Sequence, residues 1–411
     1  MNIKTNKNNV YLCHMLCAVT VIVALFPVSC NYIMNGGIVT EWIARIQELG
    51  NGSAEGRMGL FPSSELIINI GIRTNAMNSN LWFWIPGLLF RWTGNIVLVY
   101  RIYMVGVQVG TFLTSYLLFK RIFATKGTKL PVFFGTLLYM TCPYRIYVCY
   151  DLANLSQAAA WMILPLYLWA AAALVSKESK LCNVAIAALA LASIGYADTI
   201  FFLTVLGMSL LAGIISRKIR LFISAAGGTL LFLPGLQRLA RYVFLDHYYE
   251  LDIPLQSIMP SGYRIGQFFG WYVFRDGHPG MGLGMFMCLL ALIWFGFVEN
   301  AGENTKIDRV FLASALFFTV LSTSYFPWDI IQRIGKWALK LVCLIGTPTV
   351  FWGMALLCFC VPSAGAVEKM GTCKNKMIAF WGPVIILLTC VGICVYQCNA
   401  LTYNRLPLEL P

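Results

Sequence analysis

The chain has 411 residues, of which 59% are hydrophobic and only 11% charged, with a mean hydropathy of +0.73. A soluble domain carries about a quarter charged residues, so this composition excludes a cytosolic enzyme, a nucleic-acid-binding protein and a disordered chain. The net charge of +13 calls for no nucleic acid, because Lys and Arg retained on cytoplasmic loops account for it.

Apolar runs of about 20 residues, long enough to span a hydrocarbon core, recur from end to end. They predict an all-α integral membrane protein, a polytopic helical bundle of about eleven spans that forms one transmembrane domain over residues 1–411. The first run, Val10 to Ile33, follows Lys4 and Lys7 and reads as an uncleaved helix with a cytoplasmic amino terminus. The first extracytoplasmic loop, 34–94, comes next. Within it Ile38, Trp42, Ile43, Ile46 and Leu49 recur at helical spacing while Glu41, Arg45 and Glu48 fall on the other side. That pattern predicts an amphipathic interfacial helix from Gly37 to Leu49. Leu81 to Trp92 is too short to span and reads as a second interfacial or re-entrant piece, with Trp82, Trp84 and Trp92 as an aromatic belt. Asn95 to Phe119 then crosses inward and meets Lys120, Arg121, Lys126 and Lys129.

Nine further crossings are expected: Leu130 to Tyr147, Ser156 to Val175, Leu181 to Tyr196, Thr199 to Ile215, Leu221 to Leu236, Gly282 to Val298, Val310 to Ser324, Leu339 to Val361 and Met377 to Val395. A second extracytoplasmic loop, 237–281, carries Asp246, His247, Glu250, Asp252, Arg275, Asp276 and His278. This register places sixteen of the 30 basic residues but five of the 17 acidic ones on the inner side, as the positive-inside rule requires. The expectation is a multi-pass plasma-membrane protein whose carboxyl terminus is extracytoplasmic.

Most of the 14 cysteines sit inside apolar runs as small hydrophobes; Cys30, Cys142, Cys149 and Cys398 lie nearer the outer face, where one bridge is open to them. There is no CxxC pair, no zinc spacing and no nucleotide-binding loop, so no cofactor is expected. A divalent metal at His247 and His278 with Asp246, Asp252 and Asp276 is conceivable, but these residues lack HxH or ExxH spacing and read first as exposed loop side chains.

Six residues stand out as site candidates, each with a structural reading beside the functional one. Glu41 and Arg45 form an i, i+4 pair, which is either a solvated face or a catalytic carboxylate with its cation. Arg101, some six residues into its span, either snorkels to headgroups or grips a lipid phosphate. Arg145 and Asp151 share an outer turn and either pair with each other or meet a substrate. Asp198, at a hairpin tip, either caps the following helix or contacts substrate.

Three stretches in chain order carry a resemblance: Trp42-Ile43-Ala44-Arg45-Ile46 with Gly56 to Pro62; Tyr144-Arg145-Ile146-Tyr147 with Leu152 to Gln157 and Leu164-Pro165-Leu166; and Phe326-Pro327-Trp328-Asp329. Together these resemble the bacterial membrane proteins labelled 6-pyruvoyl-tetrahydropterin-synthase-related and, more distantly, YfhO-type proteins, within the GT-C glycosyltransferase-like superfamily. The resemblance implies a GT-C-like bundle whose first outer loop faces a polyprenyl-phosphate-linked sugar, in the assembly of envelope polysaccharide or glycolipid. On this reading Glu41 is the candidate catalytic carboxylate, and Arg45, Arg101, Arg145, Asp151 and Asp198, singled out above by their positions, are the candidate substrate contacts. The chain departs from the pattern in one place. Ile38 and Trp42 stand where the family's acidic residue and His would fall, and Glu41 is the nearest carboxylate. The alternative is a non-catalytic membrane protein, a transporter or flippase or a scaffold among envelope-assembly proteins. A transporter would be expected to show inverted repeats, and none is visible.

Overall fold

The computed structural model describes residues 18–30, 32–36, 38–52, 59–61, 79–123, 130–176, 180–244, 258–269, 279–294, 306–371, 373, 375–404 and 407–408. The architecture is all-helical, and the described residues contain two isolated bridges, Met34 with Pro407 and Tyr263 with Thr323, in place of strands. In chain order the helices are α1 (Ala18–Ser29), α2 (Val39–Gly52), α3 (Trp84–Thr93), α4 (Ile96–Phe123), α5 (Leu130–Met140), α6 (Leu155–Val175), α7 (Leu181–Ala197), α8 (Thr199–Ser216), α9 (Ile219–Leu231), α10 (Leu233–Phe244), α11 (Gly282–Ile293), α12 (Lys306–Ser322), α13 (Lys336–Ile345), α14 (Thr349–Gly371) and α15 (Lys376–Asn404).

Five of these, α4, α6, α8, α14 and α15, are long and apolar enough to cross a membrane, and a sixth span arises if the bent pair α9–α10 counts as one. Five shorter apolar helices, α1, α5, α7, α11 and the Val310–Ser322 part of α12, fall on the remaining expected runs. Large apolar side chains on the periphery are open to the surroundings, among them Leu113, Leu211, Ile214 and Leu388. A bundle solvated by lipid requires that arrangement.

The middle of the bundle is α14. It is 94% buried over its apolar stretch, against 22% for α15, and it packs on α5, α11, α12 and α15. One expected span needs correction here. Leu339 to Val361 is not continuous: α13 ends at Gly346, which sits at φ +67, and α14 starts only at Thr349, after Pro348. A run this apolar gives hydropathy no signal of such a break, whereas a left-handed glycine and a proline both interrupt helix. The span therefore runs deeper, to Gly371.

Two other interruptions shape the bundle. After α5 the chain turns at Pro143 into the short helical turns Pro143–Ile146 and Tyr147–Asp151. Between α9 and α10 the axis bends by 68°. There Pro234 lacks an amide hydrogen and disfavours helix at the residue before it, and the Phe232 ring is wedged between Gly195 and Gly235, where an added Cβ would come within 3 Å of it.

Candidate functional site

The amphipathic helix of the first loop forms as α2, with Trp42, Ile43, Ile46 and Leu49 in the core. Trp42 stacks on Phe83 with centroids 5.1 Å apart. At Gly50 the helix presses on α3 so closely that a side chain there would strike Phe90 and the Gly87 carbonyl. The solvated-face alternative fails for its polar side: Glu41 is 4% exposed and Arg45 3%. The residue 38 to 49 segment is also separate from α1, because the chain between them runs extended through Ile33 and Met34.

Glu41, Arg45 and Glu48 follow one another at i, i+4 and i+7, which places them on one face of α2. Arg45 lies over the Trp42 ring at 4.7 Å. A second guanidinium, Arg238 of α10, lies over Phe61 at 4.8 Å and is close enough to Arg45 to repel it. Burial, the largest influence, together with this repulsion brings Arg45 down to about 10 from its ordinary value near 12.5, while Glu41 and Glu48 hold its charge in place. One carboxylate oxygen of Glu48 is buried with no hydrogen-bond partner. The result is two arginines seated on aromatic faces with two carboxylates beside them. Segment 59–61 is fixed against this cluster by Asn80, whose amide donates to the Leu60 carbonyl at 2.8 Å and whose side chain donates to Gly59 at 3.3 Å. Ser79 and Trp82 in turn donate to the carbonyls of Tyr196 and Ser193, at 3.2 and 3.1 Å, and so join the first loop to the α7–α8 tip.

Arg238 was not among the residues that sequence reasoning picked out, because it lay just inside the stretch read as loop. Its signal is nonetheless there: Leu236, Leu239 and Val243 recur at helical spacing after Pro234-Gly235, with Arg238 and Arg241 between them.

The other candidates lie elsewhere. Arg101 donates from Nε to the Cys30 carbonyl at 3.1 Å and from its terminal nitrogen to the Ser29 carbonyl at 3.3 Å, so it sits at the carboxyl end of α1, where a cation meets orphan carbonyls. Arg145 is fully buried. It donates twice to the Met140 carbonyl, at 3.2 and 2.6 Å, and once to Gln108 Oε1 at 2.7 Å. Gln108 donates to the Tyr150 hydroxyl at 3.0 Å, which donates to the Ala24 carbonyl at 2.5 Å. This is an interior knot tying α1, α4 and α5 together. Asp151, partly exposed, ends the turn that meets the start of α2, where the Ile38 amide donates to Leu152 at 3.1 Å.

Asp198 does cap α8, with Oδ1 accepting from the Ile200 and Phe201 amides at 2.9 and 3.0 Å. Burial pushes its carboxyl above the usual range and the two amides pull it back. It also lies within electrostatic reach of the Tyr144 phenol, which bonds to Thr349. Cys30, Cys142, Cys149 and Cys398 are free thiols. His247, His278, Asp246, Asp252 and Asp276 lie outside the described residues, and among the described residues no cluster of His, Cys, Asp and Glu is arranged to hold a metal ion.

No protein family and no curated relative matches the chain. Among solved structures the chain is similar to ArnT from Cupriavidus metallidurans bound to undecaprenyl phosphate, at 10% identity and a TM-score of 0.48, covering 95% of this chain and 77% of ArnT.

Proposed function

We propose that the chain is a GT-C-type membrane glycosyltransferase that moves a sugar from a polyprenyl-phosphate donor at the extracytoplasmic face of the plasma membrane, in bacterial envelope polysaccharide or glycolipid assembly. The observation that carries this reading is the convergence of buried Glu41 and Arg45 with the partly exposed Arg238 of α10 beside the bundle. In the reaction the acceptor hydroxyl gives its proton to the Glu41 carboxylate and its oxygen bonds to the anomeric carbon. The bond from that carbon to the phosphate oxygen breaks, and the carrier phosphate leaves with the electron pair. The buried Arg45 guanidinium, with Arg238 at its side, stabilises that developing charge. Relative to the sequence expectation, the phosphate moves from Arg101 and Arg145, whose donors meet backbone carbonyls and Gln108, to Arg45 and Arg238. Glu41 keeps the role of general base.

The test is sugar transfer from polyprenyl-phosphate sugars in proteoliposomes. Glu41→Gln should lower turnover by a factor of about 100 to 10,000, the usual contribution of a positioned base, and Arg238→Ala should weaken the use of donor. Unchanged turnover in Glu41→Gln removes the base, and a wild-type chain that transfers nothing from any such donor leaves the non-catalytic reading.

A further inference from the structure

The stretch between α12 and α14 lies apart from the cluster of Glu41 and Arg45. Phe351, near the start of α14, stacks on Phe318, near the end of α12, and on Trp328, with centroids 6.4 and 5.5 Å away. The chain therefore leaves and re-enters the bundle at one level, and residues 323–348 form a cap on that end. The Tyr263 amide donates to the Ser322 carbonyl at 2.8 Å and the Ser324 amide to the Tyr263 carbonyl at 2.9 Å, which brings Arg264 and Ile265 to the cap. On α13, Lys340 donates to the Val243 carbonyl of α10 at 3.4 Å, and Leu341 packs with Leu239 and Val243. With 12 and 10 residues, α10 and α13 are about 18 and 15 Å long, too short for a hydrocarbon core of about 30 Å. Both are two-sided: Leu239, Val243, Ala338 and Val342 are buried, while Arg241, Lys336 and Trp337 are exposed.

Charge and apolar exposure coincide on this cap. Segments 233–244, 258–269 and 323–345 hold Arg238, Arg241, Arg264, Arg333, Lys336 and Lys340 against one acid, Asp329. Arg241, Arg264, Arg333 and Lys336 are exposed. Three of these cations stand directly before an exposed apolar residue: Arg264 before Ile265, Arg333 before Ile334 and Lys336 before Trp337, at 61%, 64% and 48% exposure. Ile330, one turn earlier, is 67% exposed. We infer that this cap is a docking surface for anionic phospholipid, with Arg333 and Lys336 on the headgroup phosphates and Ile330, Ile334 and Trp337 in the adjoining acyl region. The pairing decides the class of partner. A soluble polyanion would satisfy the cations and leave the apolar side chains in water, and a zwitterionic lipid would cover the apolar side chains and bring no net charge. An anionic lipid answers both at once, at the depth where interfacial helices lie. The aliphatic stems of Arg and Lys let the charge reach the headgroup while the stem stays against apolar surface. None of Glu41, Arg45 and Arg238 takes part, so the inference stands apart from the transferase reading.

The experiment is photo-labelling of the full chain in phosphatidylcholine nanodiscs that carry a trace of diazirine-bearing phosphatidylglycerol or, in parallel, diazirine-bearing phosphatidylcholine, with the labelled peptides mapped by mass spectrometry. The stretch 330–340 should take up the anionic probe in preference to the zwitterionic one. The double variant Arg333→Gln, Lys336→Gln should lose that preference, by about fivefold for each charge removed. The charge-conserving pair Arg333→Lys, Lys336→Arg should retain it, which a merely structural role for these side chains would not predict. Equal labelling by the two probes, or a preference unchanged in the Gln pair, overturns the inference. So does displacement of the anionic probe by soluble polyphosphate at matched ionic strength, since the surface would then serve a polyanion in water and not a lipid.

Discussion

Arg145 and Arg45 are almost equally withdrawn from water, at 0% and 3% exposed, yet their surroundings put them to opposite uses. Around Arg145 the partners are neutral: the Met140 carbonyl, Gln108 and, one bond further, Tyr150. The carbonyl is available because α5 stops there, which leaves its last carbonyls without donors from their own helix. A guanidinium held by three hydrogen bonds to two fixed, neutral acceptors is a fastener. Around Arg45 the neighbours are charged and of both signs, a second guanidinium and two carboxylates. Like charges held together are stable only while the balance around them holds, so an arriving anion or a departing proton changes the energy of that cluster directly.

The contrast can be broken most sharply at the knot. Arg145→Ala should cost about 2 to 5 kcal/mol, because two buried acceptors lose their donor at once, and the measurement is the unfolding temperature in detergent. A loss no larger than that of Arg45→Ala would mean the two arginines are not different in kind. At the Arg45 cluster the corresponding probe is pH. Arg45 is charged below about 10 and neutral above it in the free protein, so binding of a polyprenyl phosphate should fall as pH rises through about 10. In Arg45→Gln that step should vanish. Persistence of the same step in the variant would assign it to another group. The smallest effect belongs to Arg101, whose bonds to the Ser29 and Cys30 carbonyls are those of a cation at a helix end. Arg101→Ala should cost about 0.3 to 1 kcal/mol, and donor affinity should stay where it was.

Sequence alone gave away the helices more readily than the partnerships. Apolar period and run length placed the helices, and the stripe Trp42, Ile46 and Leu49 fixed which side of α2 faces the bundle. The Asp198 cap was legible because a short acidic side chain before a helix is a local signal. The Arg145 knot was not. Its partner Gln108 is 37 residues away, and Tyr150 is 42 from Gln108, so nothing near Arg145 in the chain says whether its donors meet carbonyls or substrate. Glu41 and Arg45 looked like an ordinary solvated pair for the same reason, since what covers them comes from outside their helix. Arg238 was hidden by polarity. A helix with arginines after an apolar run reads as loop until the bend at Phe232 shows where it goes.

That bend makes α10 a lever. Arg238 stands six residues beyond Phe232, about 9 Å along a helix rising 1.5 Å per residue, and it leaves the α9 axis at 68°. Were α9 and α10 to straighten into one rod, Arg238 would swing through an arc of about 10 Å, by the same helical rise, and leave Arg45 facing its carboxylates without a second cation. The spacing of the two guanidiniums is therefore set at a distance, by one phenyl ring lodged between two glycines. A mutation at Phe232 would reach the Arg45–Arg238 cluster without touching it.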